Sequence, residues 1–468
     1  MQNIWRKRQS LTVKDKKRDL TRGNVVGTML LFAGPMILGN MLQQFYNIAD
    51  SLIVGRALGA DALAAVGSAY TLMTFLTSIL IGLCMGSGAL FSYYFGKGDR
   101  ESLCTCMDTA FVWIGGIAIV LQAFVLILAK PILVLLHTPS SLMEMMREYT
   151  VLVFWGIFFI FLYNYFAYLL RAVGNSVVPL YFLGISAVMN IGLDILFVMT
   201  FSLGIGGAAL ATVLSQAAAG IGIAVYTIFR EPDLRLFQMG RGALRTQTRR
   251  VLRFSFAASL QQSVMNFGIL MVQGLVNSFG PSVMAAFAAG VKIDTFAYMP
   301  AQEFGNAFSL FISQNFGAEK WERIKKGTKG AIGVSVVGCL IISLFVWIFA
   351  KELIGVFVSD GVPDMIRIGT EYLRIEGAFY CGIGILFLLY GYCRGINRPE
   401  LALLLTIISL GTRVLLAYMT AGISEIGVRG IWAAIPIGWL LADTAGVIIL
   451  YGKKHVQKKG ALNGNNDN

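Results

Sequence analysis

Charge is scarce in this chain. Only 13% of its 468 residues are Asp, Glu, Lys or Arg, while 56% are hydrophobic. Soluble domains carry about 25% charged residues, so a soluble globular protein is excluded. Histidine is scarcer still: His137 and His455 are the only two, and they join no metal or acid–base constellation. Six cysteines (Cys84, Cys104, Cys106, Cys339, Cys381 and Cys393) fall in apolar stretches or beside basic loops. They show no pairing pattern in outer loops, which predicts reduced thiols. Cys104-x-Cys106 lacks the second ligand pair of a zinc site. No G-x-x-x-x-G-K-[ST] loop occurs. These absences predict neither an enzyme nor a cofactor. The basic N-terminus is not followed by a short apolar core with a small-residue cleavage site, so no removable signal peptide is predicted.

What is abundant is apolar sequence of membrane-spanning length. About twelve such stretches lie near 25–55, 61–92, 107–129, 145–170, 177–200, 205–229, 251–278, 283–312, 330–350, 366–392, 400–421 and 428–451. Assigning alternate loops to alternate sides places 29 of the 38 Lys and Arg on the side that holds both termini, and 6 on the other. That is the positive-inside bias. It predicts a multi-pass protein of the cell membrane with both termini in the cytoplasm. The net charge of +13 is thereby explained by the bilayer, and nucleic acid is not an expected partner.

The chain also repeats itself. YYFGKGDRESL (93–103) answers to QNFGAEKWERI (314–324), and Leu58-Gly59-Ala60 to Phe279-Gly280-Pro281, both at an offset of 221. RAVGNSVVPL (171–180) answers to CRGINRPEL (393–401), and GIGGAALA (204–211) to GVRGIWAA (427–434), both at 223. The offset covers an even number of spans. The expected fold is therefore all-α: two six-helix lobes of like orientation, related by a pseudo-two-fold axis along the membrane normal. The expected segments are a cytoplasmic basic tail (1–24), an N-lobe (25–229), a cytoplasmic linker (230–250), a C-lobe (251–451) and a second tail (452–468).

Span 1 is the most informative stretch. FAGPMILGNMLQQFYNIADSLIVG (32–55) carries Asn40, Gln43, Gln44, Asn47, Asp50 and Ser51. On a helix these fall within roughly 120° of arc. A stripe of this kind faces protein or water, not lipid. Asp50 is the costly member, since a mid-membrane charge is penalised by about 2.5–3.5 kcal/mol. Span 7, its repeat partner, carries Gln262, Asn266, Gln273 and Asn277 within about 60°. Either the two stripes wall a cavity at the repeat interface, or the amides bind helices together. Span 5 reads Asn190-Ile-Gly-Leu-Asp194. Its two polar residues are i and i+4, on one face that Ser186 extends. Carboxylate, amide and hydroxyl oxygens suit a small hard cation. Two acids in one low-dielectric pocket cannot both ionise cheaply, which also suits them to carry a proton. The repeat counterparts of Asp50 and Asp194 fall near Gly268 or Met271 and near Arg413, so the expected carboxylate pair belongs to the first half alone.

Taken together, GPMILGNMLQQFYNIADSLIVGRALGADALAAVG (34–67), the FGKGD and NFGAE turns, RAVGNSVVP and MPAQEFGNAFSLFISQNFGA (299–318) resemble the multidrug and toxic compound extrusion (MATE) family. The resemblance covers about 25–450 and is greatest to the DinF-like branch. It implies export of amphipathic, often cationic compounds, driven by protons or sodium ions. It also implies an ion-coupling site for a proton or sodium at Asp50, Asn190, Asp194 and Thr212, and a bend in span 1 at Pro35. The acidic residue that the NorM-like branch carries on span 7 is absent, since Gln261-Gln262 stands there.

Candidates for a substrate cavity are Gln43, Asn47, Gln262, Asn266, Gln273, Asp294 and Met299. Lys292, Asp294, Glu303, Glu376 and Asp443 also lie in apolar stretches. Asp294 either attracts a cationic substrate or pairs with Arg374 or Arg413. The expected protein is a cation-coupled multidrug antiporter for organic cations, working as a monomer by alternating access. The alternative is a lipid-linked or oligosaccharide flippase, for which cavity cations are few.

Overall fold

The computed structural model describes residues 19–135, 138, 142–237, 244–357, 363–423 and 426–463. The basic tail before residue 19, His137, the middle of the linker (238–243) and the last residues (464–468) lie outside the described residues.

Among the described residues fifteen α-helices follow one another: α1 (Val25–Leu58), α2 (Ala60–Lys97), α3 (Arg100–Leu135), α4 (Met143–Phe154), α5 (Ile157–Ala172), α6 (Val177–Asp194), α7 (Gly204–Arg230), α8 (Leu244–Asn277), α9 (Pro281–Gly317), α10 (Trp321–Ile348), α11 (Ala350–Gly355), α12 (Pro363–Gly377), α13 (Tyr380–Gly395), α14 (Pro399–Ala421) and α15 (Gly427–Asn463). No strand occurs among the described residues. Among the described residues eight helices are long and apolar enough to cross a membrane, and two bent pairs, α4 with α5 and α12 with α13, bring the number to ten if each is one span. The expected twelve include α8 and α9. These are 34 and 37 residues long. They fall short in hydropathy because they carry the amides, Lys292, Asp294 and Glu303.

Each half breaks its fourth span. α4 and α5 meet at 42° across Trp155-Gly156, and α12 and α13 meet at 51° across Ala378-Phe379. The two breaks are 223 residues apart. The left-handed turns repeat in the same way. Gly59 (φ 88°) matches Gly280 (97°), Gly98 (72°) matches Glu319 (57°), Gly174 (88°) matches Asn397 (64°), and Gly204 (62°) matches Gly427 (49°). Two of these turns hold a non-glycine residue in the second half, at a cost in backbone energy. The backbone of the repeat is thus kept where its residue types are not.

Local signals fix the helix starts. Asn24 accepts the Gly27 amide (2.9 Å) and caps α1, and Asp99 accepts the Ser102 amide (3.1 Å) at the start of α3. α1 runs through Pro35 as one helix, although proline removes one hydrogen bond of the ladder.

Contacts divide the chain into two compact units. The first comprises Met1–Ser263, Ala307–Gly327 and Arg394–Pro399; the second comprises Val264–Asn306, Thr328–Cys393 and Glu400–Asn468. In the first, an aromatic core of Phe91, Phe161, Tyr165, Phe166 and Phe254 is almost fully buried. Here α2 crosses the ends of α8 and α9 at glycines. A Cβ on Gly86 would stand 2.2 Å from the Phe254 carbonyl oxygen, on Gly96 2.0 Å from that of Gln314, and on Gly317 2.0 Å from that of Tyr93. The last two contacts are reciprocal under the 221-residue offset. The segment leading into α1 is held in the same unit. Gln314 accepts the Leu20 amide (3.2 Å), and Arg323 donates to the carbonyls of Leu20, Arg22 and Gly23. In the second unit, Trp432 stacks on Phe287 at 5.3 Å and meets the Tyr372 ring edge-on at 4.8 Å.

Candidate functional site

The four ion-site candidates converge in the first unit. Asp194 ends α6, is 0% exposed and stands directly before a π-helical turn, Ile195–Thr200. Such turns interrupt the ordinary ladder and recur at functional sites. Asn190 lies one turn earlier on the same face and donates to the Thr212 hydroxyl of α7 (3.5 Å), which itself donates to the Ala208 carbonyl (3.1 Å). Ser186 turns away from the group and donates to the Ser215 carbonyl (2.9 Å). Asp50 of α1 reaches Asp194 closely enough for the two carboxyls to interact directly.

The decisive feature is what these groups lack. Oδ1 of Asp50, Oδ1 of Asn190 and both carboxyl oxygens of Asp194 are buried with no hydrogen-bond partner. Buried polar atoms are ordinarily satisfied, and an unpaired buried carboxylate is costly. Buried oxygens left in this state are of the kind that a proton or a small hard cation can satisfy. Among the described residues no group of three or more His, Cys, Asp or Glu side chains is placed to hold a metal ion.

Tyr149 of α4 joins the group, and sequence reasoning missed it. It is 4% exposed, neighbours Thr212 and lies within electrostatic reach of both Asp50 and Asp194. Tyr46, one turn before Asp50, neighbours Asp50, Gln43, Tyr70 and Tyr163. A tyrosine in an apolar helix gives no signal of its own. Only the fold brings these rings to the acids.

The substrate-cavity candidates are divided between the two units. On α1, Gln43 and Asn47 are half-buried, and Asn47 donates to the Tyr70 hydroxyl (3.2 Å). On α8, Gln262 and Asn266 are half-buried, and Gln273 donates to Asn277 (2.9 Å). Met299 and Asp294 are both 2% exposed, so neither stands on an open wall. A cavity of about 610 Å³ lies between α1 and α6, but it is lined by apolar side chains such as Leu38, Leu42 and Ile185 and touches none of the acids.

Asp294 corrects the expectation that only the first half pairs its acids. It meets Glu376 of α12 inside the second unit, with the Tyr372 hydroxyl beside both and the Tyr380 hydroxyl donating to Asp294 Oδ1. The pair was invisible because its members lie 82 residues apart on different helices. The cation near it is Arg413, buried and within electrostatic reach of both acids. Arg374 lies over the Trp347 ring at 5.3 Å, and Lys292 over the Phe357 ring at 5.9 Å.

Comparisons with known proteins agree with this architecture. The MatE family profile matches residues 35–196 and 255–419. Over 445 residues the chain is 33% identical to the probable multidrug resistance protein YpnP of Bacillus subtilis, covering 95% of this chain and 99% of that one. Over 439 residues it is 23% identical to the multidrug export protein MepA of Staphylococcus aureus, covering 91% and 94%. A solved structure described as the outward-facing conformation of a multidrug resistance MATE family transporter superposes with a TM-score of 0.86 at 23% identity, over 95% of this chain and 98% of that one. At that identity the likeness is one of fold.

Proposed function

Since the chain belongs to the MatE family, whose members are membrane transporters and not enzymes, we propose that it is a cation-coupled antiporter. It exports amphipathic, mostly cationic organic compounds across the cell membrane by alternating access. Relatives named as multidrug resistance and multidrug export proteins support the export of drugs. The observation that carries the coupling is the set of four buried, unpartnered oxygens on Asp50, Asn190 and Asp194. An inward-moving proton or sodium ion satisfies that set, with Thr212 and Tyr149 beside it. Each charge that crosses inward releases about 2.3 kcal/mol per 100 mV of membrane potential. Occupation changes how α1 packs against α6, and Pro35 leaves α1 one ladder bond short where it can yield. Both termini are cytoplasmic and the monomer is the working unit.

The test is transport of a panel of organic cations in proteoliposomes, with a pH gradient and a sodium gradient imposed separately. One of the two gradients is expected to drive export, identifying the ion. The Asp50→Asn variant is expected to insert normally and export nothing. Undiminished export by a well-inserted Asp50→Asn protein refutes the coupling role, and export indifferent to both gradients refutes antiport.

A further inference from the structure

A second candidate site lies where the basic linker enters α8, and it shares no residue with the chemistry proposed above. The first three described turns of α8 border a cavity of about 530 Å³, within the usual range for small-molecule sites. Its lining is rich in donors: the guanidinium groups of Arg249, Arg250 and Arg253, the amides of Gln247 and Asn397, and the Thr246 hydroxyl. Among the described residues no carboxylate lines it. Phe254 supplies an apolar floor.

Arg250 is held in place without being neutralised. It donates to the Tyr94 hydroxyl (2.7 Å), and its guanidinium lies over the rings of Tyr93 (5.0 Å) and Tyr94 (5.1 Å). Tyr94 in turn donates to Gln247 (3.1 Å). Aromatic and hydroxyl partners fix the orientation of an arginine while leaving its charge available. Arg249 and Arg253 are exposed beside it. Three guanidinium forks with two amides around one space match the oxygens of a phosphate group. The same stretch falls on the side of the membrane where the sequence concentrates its Lys and Arg, facing the leaflet whose anionic lipids attract such clusters.

We propose that this cavity binds a phosphate group, and that its source is the headgroup of an anionic phospholipid in the cytoplasmic leaflet. Phe254 then meets the first carbons of the lipid, and the headgroup ties the cytoplasmic start of α8 to α2 through Tyr93 and Tyr94. A soluble phosphate shares the oxygen chemistry but has no use for the apolar floor.

The purified full-length protein in detergent is titrated by calorimetry with short-chain phosphatidylglycerol, short-chain phosphatidylcholine and inorganic phosphate. Phosphatidylglycerol is expected to bind and phosphatidylcholine is not. The double variant Arg249→Gln/Arg253→Gln is expected to weaken phosphatidylglycerol roughly 30-fold, from about 1 kcal/mol per arginine near a charged lipid surface. The double variant Lys326→Gln/Lys329→Gln removes the same charge from exposed positions on α10, and should bind as the parent does. Equal weakening by both double variants, or equal binding of the two lipids, overturns the site. Inorganic phosphate that competes at concentrations equal to those of phosphatidylglycerol overturns the lipid assignment in favour of a soluble anion.

Discussion

Asp194→Asn should make the protein more stable while silencing it. Both carboxyl oxygens of Asp194 are buried without a partner, and so is Oδ1 of Asp50, which it faces. Leaving one buried polar atom unsatisfied costs about 1–3 kcal/mol, and more when it is charged. The amide removes the charge and brings an N–H donor to the orphaned oxygen of Asp50. One or two unsatisfied acceptors disappear, and the expected gain is about 1–3 kcal/mol. Domains of 150–250 residues move by about 2–4 °C per kcal/mol, and longer chains by less, so the midpoint should rise by about 2–6 °C. The chain carries its own reporter. All six cysteines are free and five of them are buried, so a dye that fluoresces on reacting with thiols reads unfolding directly. Sodium adds a second readout. If it is the coupling ion, saturation at 100 times its dissociation constant raises the parent by about 2.7 kcal/mol, and this increment vanishes in the variant. Transport by the variant should be lost. A midpoint that falls by several degrees refutes the reasoning, because Asp194 would then be a structural acceptor.

Other perturbations test neighbouring parts. Tyr149→Phe should leave folding intact and weaken apparent ion affinity about 3- to 10-fold, read from the ion dependence of transport, because one hydroxyl beside Thr212 and the acids is lost. Gly96→Ala should destabilise by about 1–3 kcal/mol or more, and Gly317→Ala by a similar amount, since each Cβ would meet a backbone carbonyl oxygen at 2.0 Å; a midpoint unchanged in thermal unfolding would contradict the close crossing of α2 and α9. At Asp99, burial tends to raise the carboxyl, but the Ser102 amide and hydroxyl and Lys97 together hold it below its ordinary value. Its contribution is therefore present above the ordinary carboxylate range and is lost as pH falls through that range to the lowered value. Asp99→Asn should keep most of the cap at neutral pH and flatten this acid-side dependence in thermal unfolding.

The first-half site was legible in the sequence for a physical reason. Asn190 and Asp194 are one turn apart on one helix, so spacing alone puts them on one face, and Asp50 is conspicuous in an apolar span. Tyr149 and the Asp294–Glu376 pair were not legible, because helix spacing says nothing about which helices touch. The breaks at Trp155-Gly156 and Ala378-Phe379 have no proline to announce them. The structure also explains why the halves differ in chemistry. Under the 223-residue offset, Asn190 corresponds to Arg413. In the second half a permanent guanidinium stands at that place, within electrostatic reach of two buried acids. In the first half an amide stands there, and among the described residues no cation acts on the two acids. The second pair has a cation of the chain within electrostatic reach, although Asp294 Oδ2, Glu376 Oε2 and Arg413 Nε are without a hydrogen-bond partner. Under the function proposed above, the first pair takes its cation from outside, where it can come and go. Arg413→Gln tests that contrast. It leaves the second pair in the condition of the first, so the midpoint of unfolding should become sensitive to pH or sodium where Asp294 and Glu376 lie. This sensitivity should persist when Asp50→Asn is added to the same chain. A double variant with no such sensitivity would show that Arg413 does not stand in for an exchangeable ion.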